Sequence, residues 1–98
     1  MDYIDELVIR LSEAIKSRPA PNGSLKVHLK DLGVIVATKS LITKEEIPAD
    51  TAISLSRANF EKLIAGKLNP QMAYLQGKIK ITGDPVTALQ WLPILLDK

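Results

Sequence analysis

The stretch from Gly66 to Asp84 leaves the chain few ways to fold. Gly66 is placed to end one helix, because a glycine just past a helix end accepts the left-handed backbone the end requires. Asn69 followed by Pro70 opens another. The asparagine side chain accepts an N–H that has no partner in the helix, and proline at the first helical position gives up a donor that would be unpaired anyway. Met72, Ala73, Leu75 and Gln76 follow, and Gly77 closes the helix. Lys78-Ile79-Lys80-Ile81-Thr82 then alternates strictly, which predicts a strand with Ile79 and Ile81 inward. Gly83-Asp84-Pro85 turns the chain into a last helix with Asp84 as its cap. The reading of the whole chain is an α+β domain, with helices packed on a mostly antiparallel sheet to close an apolar cavity.

The rest of the chain supplies the other pieces. Ile4, Leu7, Val8, Leu11, Ala14 and Ile15 recur at helical spacing after Asp2, so an amphipathic helix is predicted to end near Ser17, before Pro19. Pro19-Ala20-Pro21-Asn22-Gly23 reads as a loop. Leu25, Val27 and Leu29 alternate with Lys26, His28 and Lys30, and the β-branched run Val34–Thr38 follows a tight Asp31-Leu32-Gly33 connection, giving a hairpin. In residues 38–50, Leu41-Ile42 is a candidate edge strand and Thr43-x-x-Glu46 a candidate cap for one helical turn. Thr51–Leu55 reads as a strand with Ile53 and Leu55 inward, and Ser56 caps a helix whose Phe60, Leu63 and Ile64 share a face. The expected sheet has about five strands, mostly antiparallel.

The last helix is unusual. At about 100° per residue, Thr87, Gln90 and Asp97 fall in one narrow polar arc, while Val86, Ala88, Leu89, Trp91, Leu92, Pro93, Leu95 and Leu96 cover over half the circumference. A surface helix normally carries a narrower apolar stripe. This helix is therefore expected to meet a core and one further apolar surface: a cavity, a second chain or a membrane. Pro93 removes a backbone donor and predicts a kink or early fraying.

Composition narrows the function classes. At 98 residues the chain is expected to form a single domain, residues 1–98, and its net charge of +2 is too small to argue for nucleic acid. With no cysteine, disulfides, thiolate metal sites and a cysteine nucleophile are excluded. His28 is the only histidine and shares its strand face with Lys26 and Lys30, so it is expected to face solvent, with no metal bound. The serines lack a positioned base, and no Gly-rich phosphate loop is present. No catalytic residue and no cofactor are expected. The acidic start Met1–Glu6 does not resemble a signal peptide, and the longest apolar run, Trp91–Leu96, is far below the roughly 20 residues of a spanning helix, so a cytoplasmic location is expected.

Several of these words together resemble the sterol carrier protein type two family. They are Ala49-Asp50 before the strand Thr51–Leu55, Phe60 in the next helix, Gly66-Lys67-Leu68-Asn69-Pro70-Gln71, Ala73, Gln76-Gly77-Lys78-Ile79-Lys80-Ile81, and Gly83-Asp84. The family order, which is helix, hairpin, edge strand, strand, two helices, strand and terminal helix, is the order read above. The segment Thr38–Asp50 is less family-like, and the chain ends Leu95-Leu96-Asp97-Lys98 without the peroxisomal Ser-Lys-Leu tail of some members. The resemblance implies a small stand-alone prokaryotic-type member. It also implies an apolar tunnel that takes a fatty acid, an acyl-CoA ester or a sterol-like lipid.

On that reading the ligand-binding candidates are Phe60 and Ile64, Met72 and Leu75, Ile79 and Ile81, and Leu89, Trp91, Leu92 and Leu95, with Trp91 at the tunnel mouth. Periodicity alone leaves open whether these residues line a tunnel or fill a core. A dry cavity of about 500 Å³ costs on the order of 12 kcal/mol at about 24 cal/mol per Å³. A domain of this size has roughly 5–10 kcal/mol in all. The interior is therefore expected to hold lipid or to be filled by the last helix itself. Lys26, Lys30, Lys78 and Lys80 take polar strand positions and read first as a solvated sheet face; only if several of them cluster near the tunnel mouth would they add attraction to an anionic membrane surface. The alternative is an interaction module that uses the last helix to form a homodimer or to dock on a lipid- or quinone-synthesis enzyme.

Overall fold

The computed structural model describes residues 2–16, 21, 23–39 and 41–95, the last of these by its backbone. The elements run α1 (Tyr3–Ile15), β1 (Leu25–Leu29), β2 (Gly33–Ala37), β3 (Ile42–Thr43), β4 (Thr51–Leu55), α2 (Arg57–Ile64), α3 (Pro70–Leu75), β5 (Lys80–Gly83) and α4 (Pro85–Leu95). The sheet order is β3-β2-β1-β4-β5. Three of its neighbour pairs are antiparallel, and β1 with β4 is parallel. This is the expected α+β layout with a mostly antiparallel sheet.

Alternation decides which face is covered. Leu25, Val27 and Leu29 of β1, Ile35 and Ala37 of β2 and Ile53 and Leu55 of β4 point inward and join one cluster with Ile4, Leu7 and Leu11 of α1, Phe60 and Leu63 of α2, Ala73 of α3 and Ala88, Trp91 and Leu92 of α4. All four helices thus bury side chains against the same sheet face. The opposite face carries Lys26, His28, Ser54 and Lys80. The return from β3 to β4 passes over that face, where Lys26 Nζ lies 3.6 Å from Glu46 Oε1.

The parallel seam is tied at its start. The Ser24 N–H donates to Asp50 Oδ2 at 2.7 Å, and the Asp50 N–H donates back to Ser24 Oγ at 3.0 Å. Beyond it, Gly83 holds φ +91°, and a Cβ there would stand 2.8 Å from the Asp50 carbonyl oxygen. Only glycine lets β5 lie so close to the entry of β4.

Two local expectations give way. Thr43 starts no helical turn; its Oγ1 accepts from the Glu45 N–H at 3.1 Å in a tight turn, and Pro48 leaves no room for a helix to propagate. The last strand begins at Lys80 and not at Lys78. The Lys78 N–H is taken by the Ala73 carbonyl at 2.8 Å, completing the end of α3, although Ile79 is buried as expected. Helix α4 runs two residues past Pro93, to Leu95.

Candidate functional site

Local chemistry sets the walls of the site. Ser56 accepts from the Asn59 N–H at 3.1 Å, and Asn69 accepts from the N–H groups of Gln71 and Met72 at 2.9 and 3.1 Å. Asp84 caps α4 through the Val86 N–H at 3.0 Å. These caps fix where α2, α3 and α4 begin over the sheet.

The expected ligand residues divide into three groups. Phe60, Ile79, Trp91 and Leu92 are fully buried, and Ile64, Ile81 and Leu89 are half-buried and packed against the core. Met72 and Leu75 stand outside, 50% and 77% exposed, on the side of α3 away from its buried Ala73. The Leu95 side chain lies outside the described residues. Trp91, expected at a tunnel mouth, is instead 0% exposed. Its Nε1–H donates to the Gly23 carbonyl at 2.9 Å, and with that one polar atom satisfied the ring can be buried whole.

Clefts open between the covering elements. One of ≈ 270 Å³ lies between the start of α3 and the outer side of α4, lined by Asn69, Pro70, Gln71, Leu89 and Pro93. Leu89, which lines this cleft, also packs against the core. A second, of ≈ 300 Å³, lies between α1 and α2 and is lined by Tyr3, Arg10, Glu61, Ile64 and Ala65. At its rim the Arg57 guanidinium sits 4.1 Å from the centre of the Tyr3 ring and donates to Glu61 at 3.0 Å. Partial burial, and then the Glu61 charge, push the Tyr3 hydroxyl pKa up. A third, of ≈ 490 Å³, lies between α1 and β3 over Val8, Ile9 and Ile42. It is bordered by Lys44 and Asp5, 2.7 Å apart, and the lysine hydrogen bond holds the Asp5 carboxyl below its ordinary value.

Sequence reasoning missed Pro70, Tyr3 and Ile9 as lining residues. Ile9 carried a signal, being an apolar residue on the polar arc of α1.

The clefts mix apolar side chains with amide and charged groups. His28 lies on the sheet face opposite the helices, 3.4 Å from Ser54 Oγ, and no group of three acidic, histidine or cysteine residues among the described residues could hold a metal ion. No helix among the described residues is long and apolar enough to cross a membrane.

Comparison with known proteins gives this arrangement a family. The model of the SCP-2 sterol transfer family matches residues 7–95. The chain belongs to that family. Human "Sterol carrier protein 2" is 34% identical over 77 residues, covering 79% of this chain; the chain spans 14% of the length of that relative. The apo structure of sterol carrier protein 2 from Yarrowia lipolytica is 25% identical, with TM-score 0.68 over 92% of this chain and 77% of that one. The Aedes aegypti sterol carrier protein in complex with palmitate has TM-score 0.76 over 97% of this chain and 96% of that one. At 13% identity the last likeness is one of fold.

Proposed function

We propose that residues 1–98 act as one domain that reversibly binds a lipid, fatty-acyl or sterol-like ligand in the apolar interior beneath α4, and releases it unchanged. The observation that carries this reading is the cleft between α3 and α4, where Leu89 both lines the cleft and packs against the apolar core, in a member of the SCP-2 sterol transfer family. The palmitate held by the Aedes protein supports a fatty-acyl chain as the first ligand to try.

In the structure Trp91 and Leu92 occupy the space over the inner sheet face. That fits the expectation that the last helix fills the interior when no lipid does. On this reading an acyl chain enters beside Leu89, displaces the α4 side chains from the sheet, and binds through apolar contact at roughly 25 cal/mol per Å² buried. Phe60, Ile64, Ile79, Ile81, Leu89, Trp91 and Leu92 then form the lining. No covalent step is required, and turnover that depended on His28 would overturn that part of the reading.

The test is extraction and mass spectrometry of whatever co-purifies, followed by thermal unfolding with added palmitate. A ligand at a hundred times its Kd stabilises by about 2.7 kcal/mol, so a clear rise in Tm is expected. No adduct and an unmoved Tm would overturn the carrier reading. The outer side of α4, with Val86 60% exposed, supports a second reading, a dimerisation or enzyme-docking module. A concentration-independent dimer without lipid uptake would favour it.

A further inference from the structure

We propose that the free edge of β5 takes up an extended acidic segment of a partner protein, added to the sheet as a further strand. The ladder leaves that edge open. The Thr51 N–H donates to the Ser24 carbonyl at 3.1 Å, and the Leu55 carbonyl accepts from the Lys30 N–H at 3.1 Å. Thr51 and Leu55 of β4 therefore turn these backbone groups to β1. The alternation of a strand then turns those of Ala52 and Ser54 to β5, where their partners are Thr82 and Lys80. Ile81 lies between these two, so its N–H and carbonyl point away from β4. No strand lies beyond β5 in the sheet, and no turn or loop among the described residues takes up the Ile81 backbone groups. The other edge differs. Strand β3 is only two residues long, and the Leu41 carbonyl beside it already accepts from the Thr38 N–H at 2.8 Å.

Side chains select the occupant. Ile81 is on the helix-covered side, packed against the core but only half-buried, so an apolar residue opposite it would complete its burial. Lys80 points the other way and is exposed, in register with Ser54 and, beyond it, His28. Lys78 is exposed as well. From Lys62 to Gly83 the chain carries four lysines and no acidic residue, and no ion pair among the described residues involves those lysines. The next carboxylate, Asp84, is committed to its own helix, accepting from the Val86 N–H at 3.0 Å and the Thr87 hydroxyl at 2.8 Å. The strand that complements this edge alternates acidic residues on the lysine side with apolar residues on the covered side. Main-chain hydrogen bonds supply affinity in such an addition, and the alternating side chains supply choice. A second copy of β5 would instead bring the lysines of both chains to one face of the pair, where like charges repel. Lysine at an edge discourages self-pairing in this way and leaves the edge selective for a strand that carries carboxylates.

The test adds a synthetic peptide of alternating glutamate and valine to the full isotope-labelled chain and follows amide hydrogen exchange residue by residue. In the free protein the Ile81 amide is expected to exchange faster than that of Thr82, which is held by β4. With the peptide the Ile81 amide becomes protected, and the protection falls as salt is raised. A peptide of alternating lysine and valine leaves it unprotected. Each cross-strand ion pair strengthens binding by up to about fivefold, so Lys78→Gln/Lys80→Gln should weaken the glutamate peptide by about tenfold. Both lysines are exposed, and a cooperative unfolding transition is expected to be retained in the variant. An Ile81 amide left unprotected by millimolar peptide, equal protection by the lysine peptide, or undiminished binding by the variant overturns the proposal. So does protection of Ile81 that rises with protein concentration alone, which would make the edge an interface between copies. The carrier reading stands or falls separately, because no step of this test uses lipid.

Discussion

Helices α2 and α3 are built alike at their ends and opposite in between. Each begins with a side chain accepting backbone N–H groups, Ser56 in one and Asn69 in the other. Each ends on a glycine at positive φ, Gly66 at 76° and Gly77 at 75°. Each closes with the same pair of bonds: Gly66 N–H to Leu63 O and Lys67 N–H to Lys62 O in α2, and Gly77 N–H to Tyr74 O and Lys78 N–H to Ala73 O in α3. Yet α2 sends Phe60 and Leu63 into the core, while α3 sends in Ala73 and turns Met72 and Leu75 to solvent. Caps decide where a helix starts and stops. They carry no information about which side meets the sheet. Helix α2 is held by burial and α3 by its ends, which leaves α3 free to present large apolar groups outward.

That contrast can be broken by experiment. Phe60→Ala empties a fully buried site in α2 and should cost about 3–5 kcal/mol in chemical denaturation. A loss below about 1 kcal/mol, the size of an ordinary surface or cap effect, would remove α2 as the anchored member of the pair. Gly77→Ala forces a side chain into left-handed backbone and should cost about 1–2 kcal/mol. No other atom stands within 4 Å of the added Cβ, so strain alone is measured. Asn69→Ala removes the acceptor for two N–H groups and should cost about 1 kcal/mol, read as a lower Tm. Leu75→Ser should fall within about 0.5 kcal/mol of the parent, as an exposed substitution does. If Leu75→Ser destabilises as much as Phe60→Ala, the outward placement of Leu75 on α3 is wrong.

Much of the fold was legible because it is written in short spacings. The alternation of Leu25, Val27 and Leu29, the Ser56 and Asn69 caps and the closing glycines act within a few residues, and each stands where expected. The two-residue strand β3 and the parallel seam between β1 and β4 were harder. Their pairing joins segments distant in sequence, and no local pattern specifies a neighbour. Among the candidate ligand residues, the buried ones could be picked out as apolar residues in phase with their elements. Met72 and Leu75 could not be told apart from them, because α3 offers apolar residues on both sides and its phase is ambiguous. Trp91 was misplaced because its burial depends on the Gly23 carbonyl, a partner far away along the chain.

The amino-acid sequence by itself determined the elements, their order and their ends, since caps, proline positions and side-chain alternation act through bonds and contacts a few residues long. Only the tertiary structure decided which side of α3 and α4 faces the sheet and which opens into a cleft. Burial depends on the surface that arrives from elsewhere in the chain, and here α1, α2 and α4 bring large side chains to the inner sheet face where α3 brings only Ala73.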